Sequence, residues 1–278
     1  MKRVLSIQDL SCLGKCSLTV ALPIISAMGV ETSIIPTAVL STHTMFDNFT
    51  FRDLTEDMNG IKKHFISEGF QFDAVYTGYL GSREQINIVM NYFDTFHNND
   101  NYIIVDPAMA DNGKLYTGFT PDFALEMAKL CSKADIILPN ISEACFMLGK
   151  DYIGEDAAPY EIKELLTELT SLGAKTVVIT GVRFKKNDFG FMGYDARTEG
   201  FFQYSTEEIP IKSHGTGDIF ASTFTGALMN HYTIYNALKI AADYTCACIK
   251  NTYNDPTAVN YGVNFEAEIP MLLKMIEK

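Results

Sequence analysis

The chain has 278 residues, 47% of them hydrophobic and 20% charged. That is enough apolar material for a large core and excludes disorder as a global description. The net charge of −12 argues against broad, sequence-independent binding to nucleic acid, which needs a basic surface, and the apolar runs fall far short of the roughly 20 residues that span a bilayer.

The opening segment reaches Asp9 before any long apolar stretch, which does not fit a secretory signal. Cys12, Cys16, Cys131, Cys145, Cys246 and Cys248 lack CxxC spacing and have no histidine at ligand distance along the chain. They read as free structural thiols, and the expected compartment is a reducing cytoplasm.

Apolar and β-branched runs at Val4–Ile7, Ser33–Leu40, Ala74–Thr77, Tyr102–Val105, Asp135–Leu138 and Thr176–Thr180 predict strands. Several are apolar throughout, as in strands covered on both faces. Helical patterns lie between them, near 17–28, 54–68, 83–97, 121–131, 141–148 and 159–172. This alternation predicts a three-layer α/β/α sandwich around a mostly parallel sheet with right-handed crossovers. Phe189–Tyr194 and Gly200–Ile211 then read as a small antiparallel edge, and helices return at 217–230, 234–250 and 265–277. With no repeat and no Ser/Pro-rich linker, a single domain over residues 1–278 is expected. Ligands of such sheets bind beyond the carboxyl ends of the strands.

The sharpest local feature is Ser213-His214-Gly215-Thr216-Gly217-Asp218 before a run with helical spacing. The glycines permit a tight turn and close ligand approach, and free N–H groups at the helix start suit a phosphate. Asp218 beside them could accept a proton from an attacking hydroxyl. The alternative is a glycine turn with Asp218 completing the first helical turn. Asp106-Pro107 and Asp111 follow a strand, where carboxylates could order Mg²⁺ or cap local amides. Asn140 and Glu143 could form a capping box or stand near a metal and phosphates. His43, after the second strand, lies at a ligand edge, whereas the other histidines are scattered. The P-loop, G-x-G-x-x-G, G-x-S-x-G and protein-kinase signatures are missing.

Together, Gly215-Thr216-Gly217-Asp218, Asp106-Pro107 and Asn140-x-x-Glu143 resemble the ribokinase superfamily. Ser6-Ile7-Gln8, Thr77-Gly78-Tyr79-Leu80-Gly81-Ser82 and Val177-Val178-Ile179-Thr180 are similar to motifs of its pyridoxal kinase family. The resemblance runs in the family's motif order from about residue 3 to about 250. It implies a ribokinase-like fold and transfer of the ATP γ-phosphate to the 5′-hydroxymethyl group of a vitamin B6 vitamer. It further implies Asp218 as base, the amides of Gly215, Thr216 and Gly217 as anion hole, and Asp106, Asp111 and Glu143 on the Mg²⁺ side. Asn140 and Thr180 would lie near the nucleotide phosphates, and Tyr79 and the 41–50 loop would face the vitamer, with Thr44 and Thr50 competing for one role. A monovalent cation (K⁺ or Na⁺) and a homodimer are also implied.

One departure concerns Asp9, which stands where the family commonly has serine. A carboxylate there would favour the ammonium group of pyridoxamine, or it would turn away to cap amides near Ser11 or Cys12. The nearest alternative is a hydroxymethylpyrimidine (phosphate) kinase, whose usual Gly-rich segment after the first strand is replaced here by Gln8-Asp9-Leu10-Ser11-Cys12. A sugar kinase would need a longer early insertion for its lid. A non-catalytic vitamer- or nucleotide-binding regulator on the same fold would not need Asp218.

Overall fold

The computed structural model describes residues 1–211 and 213–277. In chain order they form β1 (Arg3–Leu13), α1 (Leu18–Ala27), β2 (Glu31–Thr42), β3 (Phe51–Asp53), α2 (Thr55–Ser67) and β4 (Ala74–Thr77). Next come α3 (Arg83–Phe96), β5 (Tyr102–Val105), β6 (Ala110–Asp111), β7 (Lys114–Leu115), α4 (Pro121–Cys131), β8 (Ile136–Ile137) and α5 (Ile141–Met147). The remainder is α6 (Pro159–Ser171), β9 (Thr176–Val182), β10 (Asp188–Asp195), β11 (Gly200–Glu207), α7 (Thr216–Met229), α8 (Ile234–Asn254) and α9 (Phe265–Ile276).

The chain divides into two units, Met1–Gly78 with Glu208–Lys278, and Tyr79–Glu207. In the first, the strands lie in the order β4-β1-β2-β3. β1 runs parallel to both neighbours, with Val4, Leu5 and Ile7 fully buried, so its apolar run satisfies two covered faces. β1 extends six residues past the predicted Ile7 because Leu10, Ser11 and Leu13 continue the pairing with Val39, Leu40 and Thr42. The register slips between Gln8 and Leu10, opposite Pro36, which cannot donate to a ladder. Such irregularities re-aim side chains, and Asp9 sits at this one. β3 pairs antiparallel with β2, and α7, buried along most of its length, packs on α1 and α8.

In the second unit the order is β5-β8-β9-β10-β11. The first three run parallel, and β9, β10 and β11 form the expected antiparallel edge. β6 and β7 make a separate two-stranded hairpin. The class is the predicted one: a mostly parallel central sheet with helices on both sides. Of the six free thiols, Cys131, Cys145 and Cys248 are buried, whereas Cys12 is exposed and does not serve the core. Among the described residues no helix is long and apolar enough to cross a membrane.

Candidate active site

In the first unit the glycine turn forms as the sequence implies, but its two glycines differ. Gly215 is the N-cap of α7 in the left-handed region, φ 77° and ψ 3°, and its carbonyl accepts from Ile219 N–H at 3.0 Å. A β-carbon on Gly215 would run into the Lys15 carbonyl and lie 3.6 Å from Cys16 Cα. Gly217 is already helical and exposed. The first amides of α7, those of Thr216 and Gly217, cannot be used within the helix and so are available to an anion.

Asp218, in that first turn, is half-buried. Burial pushes its carboxyl up to about 7, and the nearby Asp9 charge adds to the rise, while a hydrogen bond from Ser17 N–H opposes it. Asp9 is 5% exposed and accepts from the Ser11 hydroxyl at 3.2 Å. Burial also raises its carboxyl, against hydroxyl bonds from Ser17 and Ser11 and the proximity of His43. Asp9 therefore accepts from the side-chain hydroxyl of Ser11, where the sequence offered capping of backbone amides near Ser11 or Cys12 as the alternative to a substrate role. Cys16 shares this environment, and its thiol is pushed up to about 12 by burial and then by the charges of Asp218 and Asp9. It stays a protonated thiol.

His43 Nδ1 accepts from Met45 N–H at 3.3 Å, so the proton belongs on Nε2, which lies 2.9 Å from the Tyr261 carbonyl. Its ring stacks on His214, centroids 5.7 Å apart, and packs near Phe46 and Tyr261. Thr44 and Thr50 are exposed on the segment between β2 and β3.

In the second unit Asn140 and Glu143 make the capping box. Asn140 Oδ1 accepts from Glu143 N–H at 2.9 Å, and Glu143 Oε2 accepts from Asn140 N–H at 2.8 Å. The box also grips the segment after β5: Glu143 Oε1 accepts from Met109 and Ala110 N–H at 3.1 and 3.5 Å, and Asn140 Nδ2 donates to the Ala110 carbonyl at 2.8 Å. Burial pushes the Glu143 carboxyl up to about 8 against these three donors. Asp106 is buried, and its charge and that of Glu143 both act on the Cys131 thiol. Asp111 is exposed, acts on Glu143, and accepts from Asn112 N–H and Nδ2 at 2.9 and 2.7 Å. Thr180 bridges to Asn140 and donates its N–H to the Pro139 carbonyl at 2.9 Å. Tyr79 packs against Phe119, centroids 5.4 Å apart.

Among the described residues, no three His, Cys, Asp or Glu side chains are gathered to hold a metal. The donors in the second unit are all oxygen, which suits Mg²⁺, an ion that keeps several waters and takes one or two carboxylates. With both Glu143 oxygens held by amides, an outer role through water fits that residue better than direct ligation. Sequence reasoning missed Ser17 and Cys16. Ser17 reads in the sequence only as the start of a predicted helix, and Cys16 as one of the structural thiols.

Comparisons with known proteins place the chain in a family. The phosphomethylpyrimidine kinase family profile matches residues 22–263. A Bacteroides thetaiotaomicron protein described as a candidate phosphomethylpyrimidine kinase, crystallised with pyridoxal, is 36% identical over 98% of this chain and 95% of its own, with a TM-score of 0.92. Pyridoxal kinase from Lactobacillus plantarum is 28% identical over 99% and 98%, with a TM-score of 0.90. A hydroxymethylpyrimidine/phosphomethylpyrimidine kinase from Aquifex aeolicus is 26% identical over 67% of this chain and 71% of its own. The chain belongs to the phosphomethylpyrimidine kinase family, on the ribokinase-like fold that it shares with the pyridoxal kinases.

Proposed function

We propose that the chain is an ATP-dependent kinase for the 5′-hydroxymethyl group of a vitamin B6 vitamer, working as a single catalytic domain in the cytoplasm. The observation that carries this reading is Asp218: a carboxyl raised to about 7 in the first turn of α7, beside the first backbone amides of that helix, which have no acceptor within it. A base tuned near the working pH is suited to proton abstraction. Asp218 takes the proton of the substrate hydroxyl as its oxygen bonds the γ-phosphorus. The bond from that phosphorus to the β,γ-bridging oxygen breaks, and ADP leaves. The amides of Gly215, Thr216 and Gly217 stabilise charge on the transferring group.

Asp106, Asp111 and Glu143 would hold Mg²⁺, in part through water, and the ion would supply charge neutralisation for the nucleotide phosphates. Asn140 and Thr180 are assigned to those phosphates. Tyr79, Thr44, Thr50 and Asp9 are assigned to the vitamer. A monovalent cation and a homodimer complete the proposal. The pyridoxal bound to the Bacteroides thetaiotaomicron relative supports a B6 substrate.

A second reading, hydroxymethylpyrimidine (phosphate) kinase, is supported by the family profile and the Aquifex aeolicus relative. ATP consumption with pyridoxal, pyridoxamine, pyridoxine and hydroxymethylpyrimidine offered in parallel separates the two. Turnover confined to hydroxymethylpyrimidine overturns the B6 assignment, and no turnover with any of the four favours a binding protein.

A further inference from the structure

The hairpin that carries Asp111 has two residues on each side: Ala110 pairs with Leu115, and Asp111 with Lys114. Its turn, Asn112-Gly113, has both residues in the left-handed region, φ 50° and 71°, the conformation of a tight two-residue hairpin turn. A hairpin this short is not stable alone, so its position depends on what holds it. Its base is held by the Asn140–Glu143 box through Met109 and Ala110. Its tip is held separately. Gly113 N–H donates to Ser142 Oγ at 2.8 Å. The Tyr152 ring fills the place of a Gly113 side chain, since a β-carbon there would be 2.5 Å from Tyr152 Cδ1. Ser142 is the second residue of α5 and is 2% exposed. At that position alanine would favour the helix more and leave no hydroxyl to desolvate. What serine adds is an acceptor for the turn.

We propose that Ser142 is a positioning residue that fixes the tip of the β6–β7 hairpin and so places the Asp111 carboxylate for Mg²⁺–nucleotide. This rests on the reading of Asp111 as a metal-side residue in the proposed function. Asp111 stands between the two anchors, one at Ala110 and one at Gly113, and its own oxygens accept from Asn112 N–H and Nδ2 at 2.9 and 2.7 Å. The carboxylate is therefore fixed relative to the turn, and the turn is fixed relative to α5. Without the Ser142 hydroxyl the hairpin pivots on Ala110, and the exposed Asp111 moves with the turn. Ordering that carboxylate then falls to the binding step, which weakens affinity for Mg²⁺–nucleotide without touching the transfer itself.

The test is Ser142→Ala, read by hydrogen exchange, by calorimetric titration of Mg²⁺ with a non-hydrolysable ATP analogue, and by steady-state kinetics. In the protein without ligand or metal, amides of the 110–115 segment should exchange faster than in wild type. Affinity for the Mg²⁺–analogue complex should fall, and the Mg²⁺ concentration for half-maximal rate should rise, each by about 2–10-fold, the worth of one hydrogen bond. The kcat at saturating Mg²⁺ should hold. In an Asp111→Asn background the same substitution should weaken binding no further. Unchanged exchange or unchanged affinity overturns the proposal, as does a loss of the same size in the Asp111→Asn background. Tyr152→Leu removes the other support of the tip without touching α5, and it decides by the same criteria if Ser142→Ala does not fold. Asp111→Asn alone keeps the two ideas apart. If it leaves the affinity at the wild-type value, the metal-side reading fails and the proposal with it; if it weakens binding while Ser142→Ala does not, only the positioning role fails.

Discussion

Gly215→Ala is the substitution whose consequence follows most directly from the backbone. At φ 77° an alanine costs roughly 1–2 kcal/mol for its left-handed conformation. Its β-carbon would also meet the Lys15 carbonyl and approach Cys16 Cα, and overpacking of that kind costs about 1–3 kcal/mol. The two together come to roughly 2–5 kcal/mol, which in a chain of this size lowers the melting temperature by roughly 5–15 °C. The turn cannot accept the methyl group without shifting the amides that follow it, and a displacement of about 1 Å in such a site costs about 10²-fold in rate. Gly217→Ala is the control. That position is already helical, where alanine is favoured over glycine by up to about 1 kcal/mol, so the protein should melt at or above wild type. Its turnover should still fall, because a methyl group then stands on the anion-facing turn. Differential scanning calorimetry and steady-state kinetics on both variants decide the matter. A Gly215→Ala protein with wild-type melting and turnover refutes the reasoning, and so do two variants that behave alike.

Asp218→Asn should reduce kcat by about 10²–10⁴-fold while nucleotide affinity, measured by calorimetric titration, changes little. Because the folded carboxyl is raised above its ordinary value of 3.8 to about 7, protonation favours the folded state. Its stabilising effect is complete below about pH 4 and is lost as the pH rises through about 7. Asp218→Asn should therefore melt higher than wild type at pH 8, with the gap closing towards pH 4. For the same reason wild-type kcat/KM should rise about tenfold between pH 6 and pH 8 as the base ionises. Glu143→Gln and Asp106→Asn should each raise the Mg²⁺ concentration for half-maximal rate, and unchanged titrations for both would leave these residues as structural braces. Asp9→Ser should shift the ratio of kcat/KM for pyridoxamine over pyridoxal towards pyridoxal by about 10–100-fold, the worth of a charged hydrogen bond. An identical ratio in the two proteins removes Asp9 from substrate selection.

Elements whose identity is written in contiguous apolar residues were legible from the sequence. β4, β5 and α4 have the predicted ends because Ala74–Thr77, Tyr102–Val105 and Pro121–Cys131 carry their own pattern. The far half of β1 was not legible, since Gln8 and Ser11 are polar and are held extended by pairing with β2, with Asp9 at the register slip between them. β3 was hidden for a related reason: Phe51, Arg52 and Asp53 are all exposed and gain their strand character from β2 alone. β8 came out two residues shorter than its apolar run. At the site, the glycine turn and the Asn140–Glu143 box were readable because their hydrogen bonds are local. The approach of Asp9 to Asp218 was not, since it joins residues more than 200 positions apart and leaves no mark on the sequence around either.

The grip of Asn140 and Glu143 on Met109 and Ala110 has a thermodynamic consequence. The segment after β5 is an irregular strand exit, the kind of backbone that elsewhere stays loose until a ligand fixes it. Here its amides and a carbonyl are bonded to side chains at the start of α5, so its conformational entropy is surrendered when the chain folds. Whatever binds beside Asp106 meets backbone that is already ordered, and its binding free energy is not diminished by ordering that segment.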